Sequence, residues 1–371
     1  MKNIAVIGAG ASGLFLAHQL VEQQELQVYV FEKNKNIGTK LRASGGGKAN
    51  IFNEHIQPED YNDPDSVRSL LQQVTPTTLR NAFEQMGLAL IVDEEGRVYP
   101  CTEFSQTVVD ILWNPENPNL HPELEYEVKH IFSQDGEWHI NDYPVTFDHV
   151  VIATGTPANL IEKNRKGYNT FLTDFNLQTQ PFQPSLVGFK IKDYPKMLSG
   201  CRTKVIASLY QGQNLIHKES GEVTFKDDGI SGIVILNLSA YYNRLANKDN
   251  CHLELNLLPS NPELDIKHHL QQFHSLKGIL HPKLNLLYEQ KPFDVKKFKM
   301  EIADTYEMEY AQVCHGGIDM SEVNADFSLK KNPDVFVTGE VLNIDGICGG
   351  YNLFFAFASA MVVAQHLIKN H

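Results

Sequence analysis

The first thirty-two residues constrain the fold more than any other part of this chain. Ile4-Ala5-Val6-Ile7 is a short apolar run suited to a strand buried on both faces. Gly8-Ala9-Gly10-Ala11-Ser12-Gly13 follows at once, and Leu14, Leu16, Ala17, Leu20 and Val21 then recur at helical spacing. Val28-Tyr29-Val30-Phe31 predicts a second strand, ending in Glu32 and followed by Lys33. Strand, glycine turn, helix, strand and acid form a unit with an assigned physical job for each part. Gly8 permits the tight turn, Gly10 admits a pyrophosphate to the backbone, and Gly13 lets helix and strand pack closely. With Ala11 and Ser12, the first helical turn points free N–H groups and a positive dipole end at the same place. A carboxylate at Glu32 accepts hydrogen bonds from a ribose diol and repels a 2′-phosphate. The pattern therefore predicts a Rossmann-like α/β domain binding a dinucleotide of the NAD or FAD kind.

Three further segments favour FAD. Ser44-Gly45-Gly46-Gly47-Lys48-Ala49-Asn50 offers consecutive unshielded N–H groups, an anion-binding nest, with Lys40, Arg42 and Lys48 adding positive charge. Val150 to Ala153 reads as a buried strand ending in the small turn Thr154-Gly155. Leu124 to Ile131 and Gly136 to Tyr143 are expected to form a β-meander before it, with Val128 near the nucleotide. The third segment is Asp334 to Val337, a strand running into Thr338-Gly339-Glu340. Gly349, Gly350, Tyr351, Asn352 and Leu353 then open a strongly apolar helix, and its positive end is expected to face the flavin ring. Glu340 is suited to ribityl hydroxyls.

Other classes are disfavoured by composition. The formal net charge of −13 over 371 residues gives no general attraction to phosphate backbones or anionic lipid, so neither nucleic acid nor membrane is an expected partner. The cysteines Cys101, Cys201, Cys251, Cys314 and Cys348 are odd in number and lack CxxC spacing. That argues against a disulfide framework, a zinc ribbon and a dithiol relay, and fits a reducing cytoplasm. The uncharged stretches Ile4–Val21 and Gly346–Ile368 read as buried helices with their flanks, so a soluble protein is expected. His268, His269 and His274 lack a nearby cysteine and read as a solvated helix face; no metal is expected.

Taken in order, these motifs resemble the BaiN/YhiN-type flavoproteins, known as NAD(P)/FAD-dependent oxidoreductases. They run from the glycine fingerprint through Glu32-Lys33, SGGGKAN, Gly96-Arg97-Val98-Tyr99-Pro100, Ala153-Thr154-Gly155, Gly229-Ile230-Ser231-Gly232, Gly316-Gly317 and Gly339-Glu340 to Gly349-Gly350-Tyr351-Asn352, and the match extends from Lys2 to about Leu367. The resemblance implies a discontinuous FAD domain, residues 1–184 and 311–371. It also implies an inserted β-barrel-like domain, 185–260, and a helical subdomain, 261–310. Val205–Tyr210, Ile233–Leu238 and Leu253–Leu258 read as strands of the insertion, while 261–300 reads as helical. This chain departs from the family pattern at Thr156, where a second glycine is usual, and at Glu162–Gly167, Lys48-Ala49 and Lys226-Asp227-Asp228.

The implied activity is hydride exchange between flavin and a small or medium organic substrate. With one dinucleotide fingerprint only, NAD(P)H would visit transiently. Alternatives are an oxidase or hydroxylase using O2, or a flavoprotein redox sensor. The catalytic residues stay open; Arg97, Tyr99 and Tyr351 are substrate-side candidates on motif grounds.

Overall fold

A computed structural model describes residues 1–165 and 168–370, so Lys166 and Gly167 of the Glu162–Gly167 departure lie outside the described residues. The chain divides into two compact units. The first holds Met1–Pro157, Glu162–Phe182 and Gly316–His371; the second holds Ala158–Ile161 and Gln183–His315.

The first unit is built on a five-stranded sheet. Its order is Val335–Val337, His149–Ile152, Lys2–Ile7, Leu26–Glu32, Leu120–Leu124. Every neighbouring pair is parallel, with Ile4 opposite Val28, Val6 opposite Val151 and Phe336 also opposite Val151. Parallel strands need crossover connections, which the helix Ala11–Val21 supplies between the first two. Ile4, Ala5, Val6, Val150, Val151 and Ile152 are fully buried, as strands covered on both faces require.

The helix Tyr351–Lys369 lies against Ala11–Val21. Phe15, Phe83 and Phe357 meet there, with ring centroids 5.0 to 5.5 Å apart in tilted or edge-to-face arrangement. The C-terminal helix is long and apolar enough to cross a membrane, yet 72% of its apolar window is buried inside the protein. Its hydrophobicity on nearly all sides matches a helix enclosed by neighbours. Phe357→Ala should therefore destabilise the first unit by about 3–5 kcal/mol, the cost of emptying an aromatic site in a packed core. Denaturant unfolding followed by circular dichroism measures it; a loss below about 1 kcal/mol would show that the cluster is not close-packed.

The expected meander is smaller than the alternation suggested. Leu120–Leu124 joins the main sheet, whereas Leu124 to Ile131 is mostly irregular. Only Ile131–Gln134 and Glu137–Ile140 form a hairpin, turning at Asp135-Gly136 with φ of +54° and +86°. Both positive φ angles fit a type I′ turn, which Asp-Gly adopts readily.

The second unit contains a closed six-stranded barrel. Its strands are Phe189–Ile191, Gly229–Ser231, Asn214–Phe225, Arg202–Gln211, Cys251–Asn256 and Phe298–Thr305. All pairings are antiparallel. Val205, Ala207 and Leu209 alternate into the core and meet Leu253 and Leu255 there. Ile233–Leu238 is not a strand but the start of a helix, Ile233–Arg244. Val234, Ile235, Leu238 and Tyr242 put one face of this helix into the barrel's core. A short apolar run does not distinguish strand from buried helix; the spacing as far as Tyr242 does. Residues 261–300 do carry helices, Ile266–Phe273 and Pro282–Gln290; Leu276 and Leu280 between them and Leu284 in the second share the barrel's core.

Candidate functional site

The site begins at the glycine turn. Gly8 has φ +109°, and a Cβ there would stand 2.6 Å from Ala153 O. A Cβ on Gly13 would stand 2.0 Å from Gly8 O, so the helix can approach the strand only without a side chain. Gly10 differs: a Cβ there would meet nothing within 4 Å. Gly10 is also the N-cap of Ala11–Val21, no side chain caps that helix, and no acidic residue occupies its first turn. Open space in front of uncapped N–H groups is the cradle a pyrophosphate fills.

Glu32 ends the second strand beside this turn. Its Oε2 accepts from Ala9 N–H at 3.0 Å, and its Oε1 accepts from the Asn34 backbone and side-chain amides at 2.8 and 2.6 Å. The carboxylate is thus held against the turn, and its remaining lone pair, on Oε2, is available to a ribose hydroxyl. Glu32→Ala should weaken FAD binding by about 1.5–3 kcal/mol, through loss of charge-assisted bonds and of the Ala9 N–H partner. A flavin-fluorescence titration of flavin-free protein reads this directly; unchanged affinity would remove Glu32 from the site.

The glycine loop takes the positive φ angles that its composition suggested. Gly45, Gly46 and Gly47 have φ of +56°, +67° and +90°, and Ala49 also lies at +57°. A Cβ on Gly46 or Gly47 would meet nothing within 4 Å. The nearby cations, however, are engaged by protein. Arg42 Nε donates to Gln106 Oε1 at 2.7 Å, and Lys48 Nζ donates to Glu103 at 2.6 Å, which raises the lysine pKa. Lys40 Nζ donates to the Thr156 carbonyl at 2.7 Å, and Lys33 lies over the Tyr168 ring.

The C-terminal segment closes on the N-terminal one. Gly339 has φ +73°, and a Cβ there would lie 2.7 Å from Ser12 Oγ. Its N–H donates to Ser359 Oγ at 3.0 Å, so both helices fix the turn that carries Glu340. Ala153 and Thr154 pass beside the turn at Gly8, Thr154 is wrapped by the Tyr168 hydroxyl and the Asn169 amide, and Gly155 follows with φ +69° and open space before it. Val128 lies half-buried in the irregular segment before the hairpin.

Gly350 caps the C-terminal helix with φ +101° and no side-chain cap. A Cβ there would clash with the Phe52 carbonyl and come within 2.9 Å of Asn50 Oδ1. That oxygen is buried and has no hydrogen-bond partner. A buried orphan acceptor costs about 1–3 kcal/mol unless a ligand satisfies it. The uncapped helix end, the orphan oxygen and the open cradle at Gly10 all fit a bound dinucleotide. Asn352 is occupied structurally: its Oδ1 accepts from Gly346 N–H at 2.9 Å and its amide donates to Gly346 O at 3.0 Å. Gly349 presents its carbonyl to Asn53 Nδ2 at 3.1 Å. Leu353 is half-buried in the first helical turn.

The substrate-side candidates fare differently. Arg97 is paired with Glu95 and, at 3.9 Å, with Asp93, so its charge is answered locally. Tyr99 lies on the strand Arg97–Pro100, half-buried. Tyr351 is buried, its carbonyl accepting from the Tyr61 hydroxyl at 2.8 Å. Burial holds the Tyr61 pKa well above its usual value, so Tyr61 stays a neutral donor. Sequence reasoning missed Tyr61, Asn53 and Ser359, and it missed that Thr156 joins Lys40 to Glu340. Asn50 and Asn53 flanking an apolar pair was the available signal for Asn53; the others had none. No cluster of three or more potential metal ligands occurs among the described residues.

Residues 2–366 match the family described as HI0933-like protein Rossmann domain. A 3-dehydro-bile acid delta(4,6)-reductase of Clostridium scindens is 26% identical, over 98% of both chains. A ribosomal RNA dihydrouridine synthase of Escherichia coli is 26% identical, over 98% of this chain and 97% of its own. Among solved structures, the open form of a flavocytochrome c3 fumarate reductase gives a TM-score of 0.45 at 15% identity, covering 98% of this chain and 77% of that one. The chain belongs to the HI0933-like family of Rossmann-type, FAD-binding flavoprotein oxidoreductases.

Proposed function

We propose that this protein is an FAD-dependent reductase that saturates a carbon–carbon double bond conjugated to a carbonyl, drawing electrons from transiently bound NADH or NADPH. The observation that carries the proposal is the junction of Ser12 with Gly339. It brings the glycine turn and the Glu340 turn together in one unit, beside an open cradle at Gly10. FAD, when bound, supplies hydride transfer. The chain's own groups bind and orient: backbone N–H groups of residues 10–13 and 45–47 meet the phosphates, and Glu32 and Glu340 accept from hydroxyls. The N-terminus of the helix Tyr351–Lys369 adds a positive dipole end.

The two relatives support the choice of bond. One is named as a delta(4,6)-reductase and the other as a dihydrouridine synthase. A 3-oxo steroid diene and the uracil ring are both unsaturated carbonyl systems, polarised so that hydride adds at the far carbon. A second reading, with the uracil ring of an RNA as substrate, is favoured by charge distribution. Residues 261–300 carry Lys267, Lys277, Lys283, Lys291, Lys296, Lys297 and Lys299 against Glu263, Asp265, Glu289 and Asp294. That local excess is the sign a phosphate backbone requires.

The test is anaerobic. The purified protein should be yellow, and NADH or NADPH should bleach it. A 4,6-dien-3-one steroid should then restore the oxidised spectrum. Restoration by a uridine-containing RNA and not by the steroid would select the second reading. Rapid reoxidation on admitting O2, with peroxide formed and no reoxidation by either organic acceptor, would make the protein an oxidase, and a colourless protein that takes up no FAD would end the proposal.

A further inference from the structure

Lys40, Thr156 and Glu340 come from three distant segments of the first unit. Lys40 lies on the short helix Thr39–Ala43 that leads into the glycine nest. Thr156 follows the turn after the strand His149–Ile152, and Glu340 sits in the turn Gly339–Val341. Lys40 Nζ donates to Thr156 O at 2.7 Å and to Thr156 Oγ1 at 3.1 Å. The same hydroxyl donates to Glu340 Oε2 at 3.5 Å, and that oxygen lies 3.7 Å from Lys40 Nζ. A hydroxyl has one proton to give and lone pairs to receive with, and here it does both, passing the ammonium's polarity to the carboxylate. Thr156 is only 1% exposed, so its hydroxyl has no bulk water to turn to.

The ammonium's N–H bonds thus have protein acceptors on one side, and its charge is answered by Glu340. Lys48 is likewise paired with a carboxylate, Glu103, while Arg42 gives its Nε–H to the neutral Gln106. At the open cradle the groups without a side-chain cap are the backbone N–H groups of the helix Ala11–Val21.

We infer that Lys40 is a positioning residue: with Thr156 it fixes the Glu340 carboxylate for the cofactor's hydroxyl groups, and it leaves the phosphates to the backbone. This rests on the FAD reading above. It predicts that FAD affinity depends on Lys40 only through Glu340, and that affinity is nearly independent of salt.

Flavin-free protein is titrated with FAD, following flavin fluorescence, for the wild type, Lys40→Met, Glu340→Gln, the double variant, Thr156→Val and Thr156→Val with Glu340→Gln. Lys40→Met should weaken binding about 10-fold, as for loss of a charge-assisted contact. Thr156→Val, which keeps the carbonyl and the volume, should weaken it by a smaller factor, about 3-fold. Either change added to Glu340→Gln should cost no more than about 2-fold further. Wild-type affinity should change less than about 2-fold between about 50 mM and 500 mM salt.

Losses that multiply in the double variants would overturn the inference. So would a steep salt dependence in the wild type that Lys40→Met abolishes, since that is the signature of a direct phosphate contact. If Lys40→Met does not fold, the Thr156→Val pair decides by the same cycle. A wild type that binds no FAD overturns the cofactor reading itself, whereas normal wild-type binding with multiplying losses overturns only this one.

Discussion

Gly13→Ala should destabilise the first unit strongly. The added methyl would be placed 2.0 Å from Gly8 O and 3.3 Å from Ala153 Cβ, and the nearest atom is backbone rather than a yielding side chain. Relief requires moving the helix Ala11–Val21 within a core where Leu14, Phe15 and Leu16 are fully buried. Overpacking of that kind costs about 3 kcal/mol or more, a large fraction of the stability of an ordinary domain. Thermal unfolding and soluble yield are the measurements. A variant with wild-type yield and melting temperature would mean that the turn is not packed as described.

Gly10→Val separates binding from folding. The backbone at Gly10 has φ −84° and ψ −165°, a region valine adopts freely, and the space before it is open. The variant should lose no more than about 1 kcal/mol of flavin-free stability, the difference between glycine and valine at an N-cap. Its side chain would occupy the pyrophosphate's place before the uncapped N–H groups. FAD affinity should fall by about 100-fold or more, read as flavin content after gel filtration and by titration. Full flavin retention would displace the cofactor from the N-terminal turn. Two glycines three residues apart thus give opposite signatures: one variant that loses stability and one that stays folded but loses cofactor.

Local covalent demands made part of this legible from residue order. The glycine turn needs its glycines at fixed offsets, and the strands beside it need apolar residues on both faces, so the N-terminal unit is written in consecutive letters. The nest at Gly45–Gly47 is equally local, because positive φ is a property of single residues. Where the reading failed, the information was not local. Ile233–Leu238 by itself has the composition of a strand, and the helical face that packs into the barrel's core shows only when the spacing is followed beyond that run to Tyr242. Leu124 to Ile131 alternates without forming a strand, because the main sheet ends its pairing at Leu124.

The charged groups show the same division. Lys40, Arg42 and Lys48 stand beside the glycine loop in sequence, and proximity alone suggested that they serve an anion. Their acceptors, Thr156, Gln106 and Glu103, come from residues far along the chain, and only folding reveals that these cations are already engaged. By itself the sequence determined the Rossmann-type turn, the nest and the class of cofactor, because each depends on backbone geometry that residue type dictates. The tertiary structure alone decided which side chains remain free to meet that cofactor, because a hydrogen bond is settled by three-dimensional proximity.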